Sequence, residues 1–454
     1  MQHRVNRNER TNRNRARAIL TLTAAAWIAF FLAWRAAPAA AQDLVPKAAP
    51  QTKPIWVAGA TIHPVSGPTI EIGSMLFVDG KIERIVKGAP PPGTVDGTEV
   101  VDASGKHLYP GFVCATSVLG LTEVGSVDMT LDTNEAGSVK PEVEAAVALN
   151  PDSWLLPVTR LNGVLTCGAM PQGGVVAGRA SVIRLDGWTW EDMTLERDAG
   201  LCINWPFLGR RSDEDGPRQT LKQLDELFDA ADAYLTARKA APSIRTDLRY
   251  EAMASVIHGD KPVFLSATVL RQIETAVEWA VGRNLRPVIV GGRDASLCTD
   301  LLKRHDVPVI LTSSHRLPRR RDLSYRSTYE LPAILEEAGI RWCLTVPASS
   351  FASANSRNLP YEAAACIAHG LDEDVALRSV TLSAAECIGV DDRLGTLETG
   401  KNATFFLADG DPFELSTTIE AAFIDGRRID LTDKQTALYE KYREKYRQLG
   451  MLGE

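Results

Sequence analysis

The chain has 454 residues, 45% of them hydrophobic and 24% charged, with a formal net charge of −7. That length can bury one large barrel plus a smaller domain, and the composition is that of a globular protein. Without the arginine-rich first 41 residues the chain carries 43 basic against 56 acidic residues, a balance that excludes nucleic acid and anionic membrane surfaces as natural partners.

In chain order, the first segment reads as an export signal. Arg4, Arg7, Arg10, Arg13, Arg15 and Arg17 form a basic region, Ala18 to Trp34 is an uncharged apolar run, and Ala39-Ala40-Ala41 offers a small-residue cleavage site before Gln42. Residues 1–41 are therefore expected to direct the chain to the periplasm or cell envelope. The 17-residue apolar run also suits an uncleaved membrane anchor, and Arg35 directly after it fits that alternative. Residues 42–53, rich in Pro, Ala, Lys and Gln, are expected to form a mobile leader.

Short β patterns follow at Ile55–Val57, Ser74–Val78, Ile82–Val86 and Glu99–Val101, with Asp79-Gly80 as a type I′ hairpin signal. A second β-rich stretch lies at Ala403–Leu407 and Ile419–Arg428, with Asp409-Gly410 and Asp425-Gly426 as turns. Neither stretch has enough strands to enclose a core. Residues 54–106 and 395–430 are therefore predicted to combine into one composite β-sandwich.

Between them, short apolar runs alternate with helical periods. Phe112–Thr116 and Gly163–Ala169 are early strands, followed by a polar Trp/Asp insertion (Asp186–Asp198) and a helical segment from Arg218 to Ala240. Then come the pairs Pro262–Ala267 with Leu270–Val281, Arg286–Val290 with Ala295–Arg304, Val307–Leu311 with Tyr325–Ala338, and Arg341–Val346 with Leu359–His369. Such repetition implies parallel βα units, which close into a TIM-type (β/α)8 barrel of about 250 residues, here assigned to residues 107–394. Residues 431–454 read as a charged C-terminal surface helix. Seven scattered cysteines without a CxxC pair suggest buried hydrophobes, not a zinc cluster or disulfide framework.

Four motifs in this order resemble the amidohydrolase superfamily, in its imidazolonepropionase-like branch. They are Val78-Asp79-Gly80-Lys81-Ile82, then Asp102-Ala103-Ser104-Gly105-Lys106 running into Tyr109-Pro110-Gly111, then Leu394-Gly395-Thr396 through Gly400-Lys401-Asn402-Ala403, and Ile424-Asp425-Gly426-Arg427. The resemblance spans residues 55 to about 430. It implies a barrel with a split β-sandwich and hydrolysis of non-peptide, cyclic-amide C–N bonds. It also implies zinc or another divalent metal at the barrel mouth, where a bound water is acidified for attack. In the family, ligands come from a His-x-His pair on strand one, histidines ending strands five and six, and an aspartate on strand eight.

This sequence departs from that pattern at every position. Thr116 and Val118 stand where the His-x-His pair is expected, and Ser266 ends strand five. Gly291-Gly292-Arg293-Asp294 follows strand six, and no Asp or Glu lies between Ala338 and Pro360. The expectation is a site with no metal ligands and no cofactor. Candidate ligand contacts at the mouth are Thr116, Ser117, Ser266, Arg293 and Asp294, with Arg357 and Asn358 before the last barrel helix. The arginines suit carboxylates or phosphates. His315 and Arg320, after strand seven, are weak candidates for acid/base or electrostatic roles. Each has an ordinary alternative: a surface histidine, and arginines paired with loop carboxylates. Glu123, Asp128, Asp132 and Glu135 match no calcium loop and read as solvated charges.

Three functional classes follow. The first is a metal-free pseudoenzyme or small-molecule binding protein on an amidohydrolase scaffold. The second is an active hydrolase of non-peptide C–N bonds with a displaced site. The third is a carbohydrate-handling protein, argued from Asp186, Trp188, Trp190, Glu191 and Asp192. The ligand and the oligomeric state are not specified by sequence.

Overall fold

The computed structural model describes residues 45–207 and 215–452. The export segment lies outside them. Among the described residues no helix is long and apolar enough to cross a membrane. All seven cysteines are buried and free.

A first sheet takes strands from both ends of the described chain. Its strands are β1 (Ile55–Ile62), β2 (Ile70–Val78), β3 (Lys81–Lys87), β4 (Glu99–Asp102) and β5 (His107–Pro110). From the far end come β14 (Phe405–Ala408), β15 (Ile419–Ile424) and β16 (Arg427–Arg428). The order is β16-β15-β14-β5-β1-β2-β3, with β4 beside β1. Strand β5 is not foreseen by the sequence patterns, yet it joins the two halves, pairing β1 on one side and β14 on the other. The sheet bends at the register shifts in β1 and folds over its own core. Phe77 of β2 thereby meets Phe405 and Phe423 edge-on, with ring centroids 5.3 Å apart in both pairs.

The motifs that carry the resemblance converge in this sheet. Asp79 and Asp425 both have φ of +48° and precede glycines at +78° and +73°, the geometry of a type I′ turn. The two turns touch. Ala403 N donates to Gly80 O at 2.8 Å and Gly426 N to Ala403 O at 2.9 Å. Lys81 Nζ donates to Asn402 Oδ1 at 2.6 Å, and Asn402 Nδ2 to Asp425 Oδ1 at 2.7 Å. Arg184 of the barrel closes the knot by pairing with Asp425 Oδ2. These motifs specify how the two chain ends meet. None of them reaches the barrel mouth.

The barrel sheet runs β6 (Phe112–Ser117), β7 (Val164–Ala169), β8 (Val176–Arg184), β9 (Thr194–Asn204), β10 (Val263–Ala267), β11 (Pro287–Gly291), β12 (Val309–Thr312) and β13 (Trp342–Thr345). It departs from a regular (β/α)8 barrel at one strand, since β8 is antiparallel to both β7 and β9. The reason is the length of the connection. Only residues 170–175 separate β7 from β8, whereas a parallel crossover needs a dozen residues or more. Gly173 and Gly174, at φ of +74° and +68°, make the reversal. Strand β9 runs through the second half of the region expected to be a polar insertion.

Alternation along the strands sorts side chains between two cores. Val113, Phe264, Val288, Ile310 and Cys343 fill the barrel interior. Val263, Leu265, Ile289, Val309 and Leu344 face the surrounding helices. Ala384, Ala385 and Ile388, in and just after the helix Leu382–Cys387, pack into the interior core. No ladder bond links β6 to β13, and side chains close that seam instead. Thr116 N donates to Thr345 Oγ1 at 3.1 Å, and Thr116 Oγ1 to Val346 O at 3.0 Å.

Residues 45–53, expected to be a mobile leader, lie against the body. Val45 and Ala48 are buried, Lys47 Nζ donates to Pro151 O at 2.5 Å, and Gln51 Oε1 accepts from Gly80 N at 2.9 Å. The C-terminal helix is Lys434–Gln448, capped by Asp433 and without a buried residue.

Candidate ligand-binding site at the barrel mouth

At the C-terminal ends of the strands, where barrel enzymes build their sites, lies a cavity of about 360 Å³. The alternation that fills the interior with Phe264, Val288 and Ile310 places Ser266, Val290 and Thr312 one step further out, in its wall. Asn204 from β9, Thr268 beyond β10 and Gln172 from the β7–β8 turn add polar groups. Gln172 Nε2 donates to Ala348 O, linking the turn to the segment after β13. Asn204 Nδ2 donates to Gly174 O at 2.9 Å, which fixes its amide. The one thiol in the wall, Cys202, is pushed up to about 12 by burial and is not a thiolate near neutrality.

Of the residues expected to contact ligand, Ser266 lines this cavity and is exposed in it. Thr116 and Ser117 do not. Both are wholly buried, Thr116 in the seam with β13 and Ser117 with its Oγ accepting from Leu119 N at 3.0 Å. Val118 is likewise in the core. Arg293, Asp294 and Arg320 line a neighbouring smaller cavity. There Arg293 donates to Leu317 O at 2.6 Å, and Asp294 accepts from Leu270 N at 3.1 Å.

Arg357 and Asn358 are not brought to the mouth. After β13 the chain forms a short helix at Ser350–Ser353 and a turn at Ser356–Asn358. Arg357 O there accepts from Nδ2 of Asn162, two residues before β7 begins. That is the end of β7 opposite the mouth. The Trp/Asp insertion does not form an open carbohydrate platform either. Asp186 is buried against Arg160, with Nη1 to Oδ1 at 3.0 Å, and Trp190 stacks under Arg197 at 5.5 Å. Trp188 stays exposed.

His315 lies beyond β12 with its side chain half exposed, Nδ1 3.6 Å from Glu362 Oε1 and the ring edge-on to Tyr329. Glu362 is the residue the sequence did not single out. It is buried, and its carboxylate accepts from Ser313 Oγ at 2.8 Å, Ser314 N at 2.6 Å, Ser314 Oγ at 2.7 Å and His315 N at 3.0 Å. The loop after β12, with Ser313 held at φ +71°, is thus moulded around one carboxylate.

The donor set at the mouth does not suit the family metal. Zinc takes imidazole, thiolate or carboxylate ligands, whereas the polar lining here is hydroxyl and amide. Among the described residues no group of three or more His, Cys, Asp and Glu side chains is arranged to hold an ion.

A barrel with a composite sheet and a site at its strand ends is the architecture of the metal-dependent hydrolases, and comparison with known proteins agrees. Residues 214–432 match the amidohydrolase family, so the chain carries an amidohydrolase-family domain. An amidohydrolase from Thermotoga maritima MSB8 is 26% identical, superposes with a TM-score of 0.75, and matches across 83% of this chain and 99% of that one. Amidohydrolase tasK of Hapsidospora irregularis is 21% identical over 396 residues, 78% of this chain. The chain spans only 39% of that relative's length. Phenylurea hydrolase B, at 15% identity over 83% of this chain and 97% of its own, shares the fold with a TM-score of 0.51.

Proposed function

We propose that this protein is an exported member of the amidohydrolase superfamily that binds a small polar molecule at its barrel mouth without a resident metal and without hydrolysing it. The order of its four motifs favours the imidazolonepropionase-like branch. The observation that carries the reading is the chemistry of the strand ends. Ser266, Thr312 and Asn204 line the cavity, while Thr116 is spent on closing the seam. Neutral donors and acceptors of this kind orient a ligand but neither acidify a water nor stabilise an oxyanion as a cation does. Export rests on the signal-like segment 1–41, and fractionation with intact mass tests it: periplasmic protein beginning at Gln42, or membrane-bound protein retaining Met1, supports it, and protein retaining Met1 in the cytosolic fraction contradicts it.

A displaced, metal-free hydrolase is the second reading, favoured by His315 beside the buried Glu362. Against it, the Ser313 hydroxyl donates to Glu362, so it is not activated by an imidazole as a nucleophile requires. The experiment is a hydrolysis panel of cyclic imides, lactams and N-acyl amides, each run with chelator and with added zinc. The expected result is no turnover above buffer in either condition. Turnover that zinc restores, or that His315→Ala abolishes, overturns the binding-protein reading.

A further inference from the structure

Beside the mouth is a second cavity of about 70 Å³, and the two share Gly291 and Thr312 in their walls. Its volume is a little over twice a water's share of about 30 Å³ in the liquid. It holds one small polar group rather than a whole metabolite, with the larger cavity adjoining.

The charges around it are unbalanced. Arg293 reaches in after β11, and Arg319 and Arg320 after β12. Arg316 stands close by, its guanidinium pushed below the ordinary arginine range by burial and by the neighbouring charge of Arg293. Arg316 O accepts from Thr328 Oγ1 at 2.9 Å, and the charge of Glu362 acts on the guanidinium in the opposite sense, but among the described residues the guanidinium itself has no ion pair or hydrogen bond. Three arginines in the wall face one carboxylate, Asp294, and the nearby carboxylates point their oxygens elsewhere. Asp294 accepts from Leu270 N, Glu362 is filled by four donors, and Glu330 pairs with Arg326 at 2.9 Å. Asp322 approaches Arg320 at 3.4 Å, but that pair is exposed and of a kind that contributes little.

Two further features favour negative charge. The helix Ser327–Glu337 begins in the cavity wall, so the positive end of its dipole lies beside an occupant, although Ser327 N and Tyr329 N already donate to Ser324 O and Arg326 O. Ser327 Oγ is buried with no hydrogen-bond partner, which leaves one donor unused beside the guanidinium groups. Buried polar groups of this sort are normally satisfied.

We propose that this small cavity is an anion subsite, which takes the terminal carboxylate or phosphoryl group of a ligand whose neutral, amide- or hydroxyl-rich body fills the mouth. The proposal deepens the reading of the mouth as a binding site and rests on it. Guanidinium groups grip both anions through paired N–H donors, and Ser266, Thr312 and Asn204 would hydrogen-bond the body.

The test is calorimetric titration of the purified full-length protein with two matched pairs: N-acetylglycine against N-acetylglycinamide, and glycerol 1-phosphate against glycerol. At least one anion is expected to bind about tenfold tighter than its neutral counterpart, as charge-assisted hydrogen bonds dictate, and the two pairs separate carboxylate from phosphate. Arg293→Gln and Arg320→Gln should each remove most of that preference with the thermal midpoint unchanged, while the exposed control Arg428→Gln should leave it intact. Equal affinity within both pairs, no binding by any of the four, or a preference that survives both substitutions overturns the subsite. Neutral probes that bind as well as anions would remove the subsite and leave the mouth as a binding site. Turnover in the hydrolysis panel would overturn the functional reading and leave the charge preference standing.

Discussion

Asp186→Ala is expected to lower the unfolding free energy by about 3–5 kcal/mol, because it strands a buried guanidinium. Arg160 is fully buried, and among the described residues its one carboxylate contact is Asp186 Oδ1 at 3.0 Å. Asp186 also holds Arg427, with Nη1 to Oδ2 at 2.8 Å and Nη2 to its main-chain O at 3.2 Å. The trio ties the helix Leu155–Arg160 and the end of β8 to β16 of the composite sheet. Burial already pushes the Arg160 guanidinium below its ordinary range, and its Nε and Nη2 have no partner. The pair therefore carries a large desolvation cost that Asp186 offsets most, with smaller help from the charge of Asp430 and from Leu185 O, which accepts from Nη1 at 3.2 Å. Adding Arg160→Met to Asp186→Ala should recover most of the loss, since an apolar side chain needs no counter-charge. Urea unfolding of the wild type, the single variant and the double variant measures both. A loss below about 1 kcal/mol in the single variant would show that the charge is not buried as described.

Glu362→Ala is expected to cost about 3 kcal/mol and to free the loop after β12. Four donors converge on that carboxylate. Losing the acceptor leaves the main-chain N–H groups of Ser314 and His315 without partners in a partly buried turn. The loop carries Arg316, Arg319, Arg320 and Arg321, so trypsin reads its release directly. The variant should be cut there at least tenfold faster than the wild type. Glu362→Gln keeps one acceptor oxygen and should fall between the two. Unchanged cleavage in Glu362→Ala would show that the loop is held by other contacts.

The fold was legible because its signals are local and steric. Asp79-Gly80 and Asp425-Gly426 take positive φ, a conformation that this pair of letters favours, whereas Asp409-Gly410, the same dipeptide, does not take it. The parallel strands from β10 onward show as short apolar runs between helical periods. Strand β8 escaped because its orientation depends on how few residues precede it, and a run containing Gly178 and Arg179 gives no clean period.

The site was legible only in part. Ser266 could be placed because strand alternation carries it into the cavity. Thr116 could not, because its hydroxyl answers to the missing ladder between β6 and β13, a tertiary circumstance. Glu362 looked like any glutamate in the first turn of a helix. Its role arises from Ser313, Ser314 and His315, 47 to 49 residues earlier. Arg357 and Asn358 were misplaced because the Ser350–Ser353 helix and the Ser356–Asn358 turn carry the chain away from the mouth.

The central claim is that the barrel mouth offers neutral oxygens and amides where its relatives' scaffold would hold a cation. Anomalous diffraction at the zinc edge, from crystals grown in excess zinc, tests it most directly. The account predicts no anomalous peak among Asn204, Ser266 and Thr312. A full-occupancy peak there, ligated by side chains from the strand ends, would contradict it.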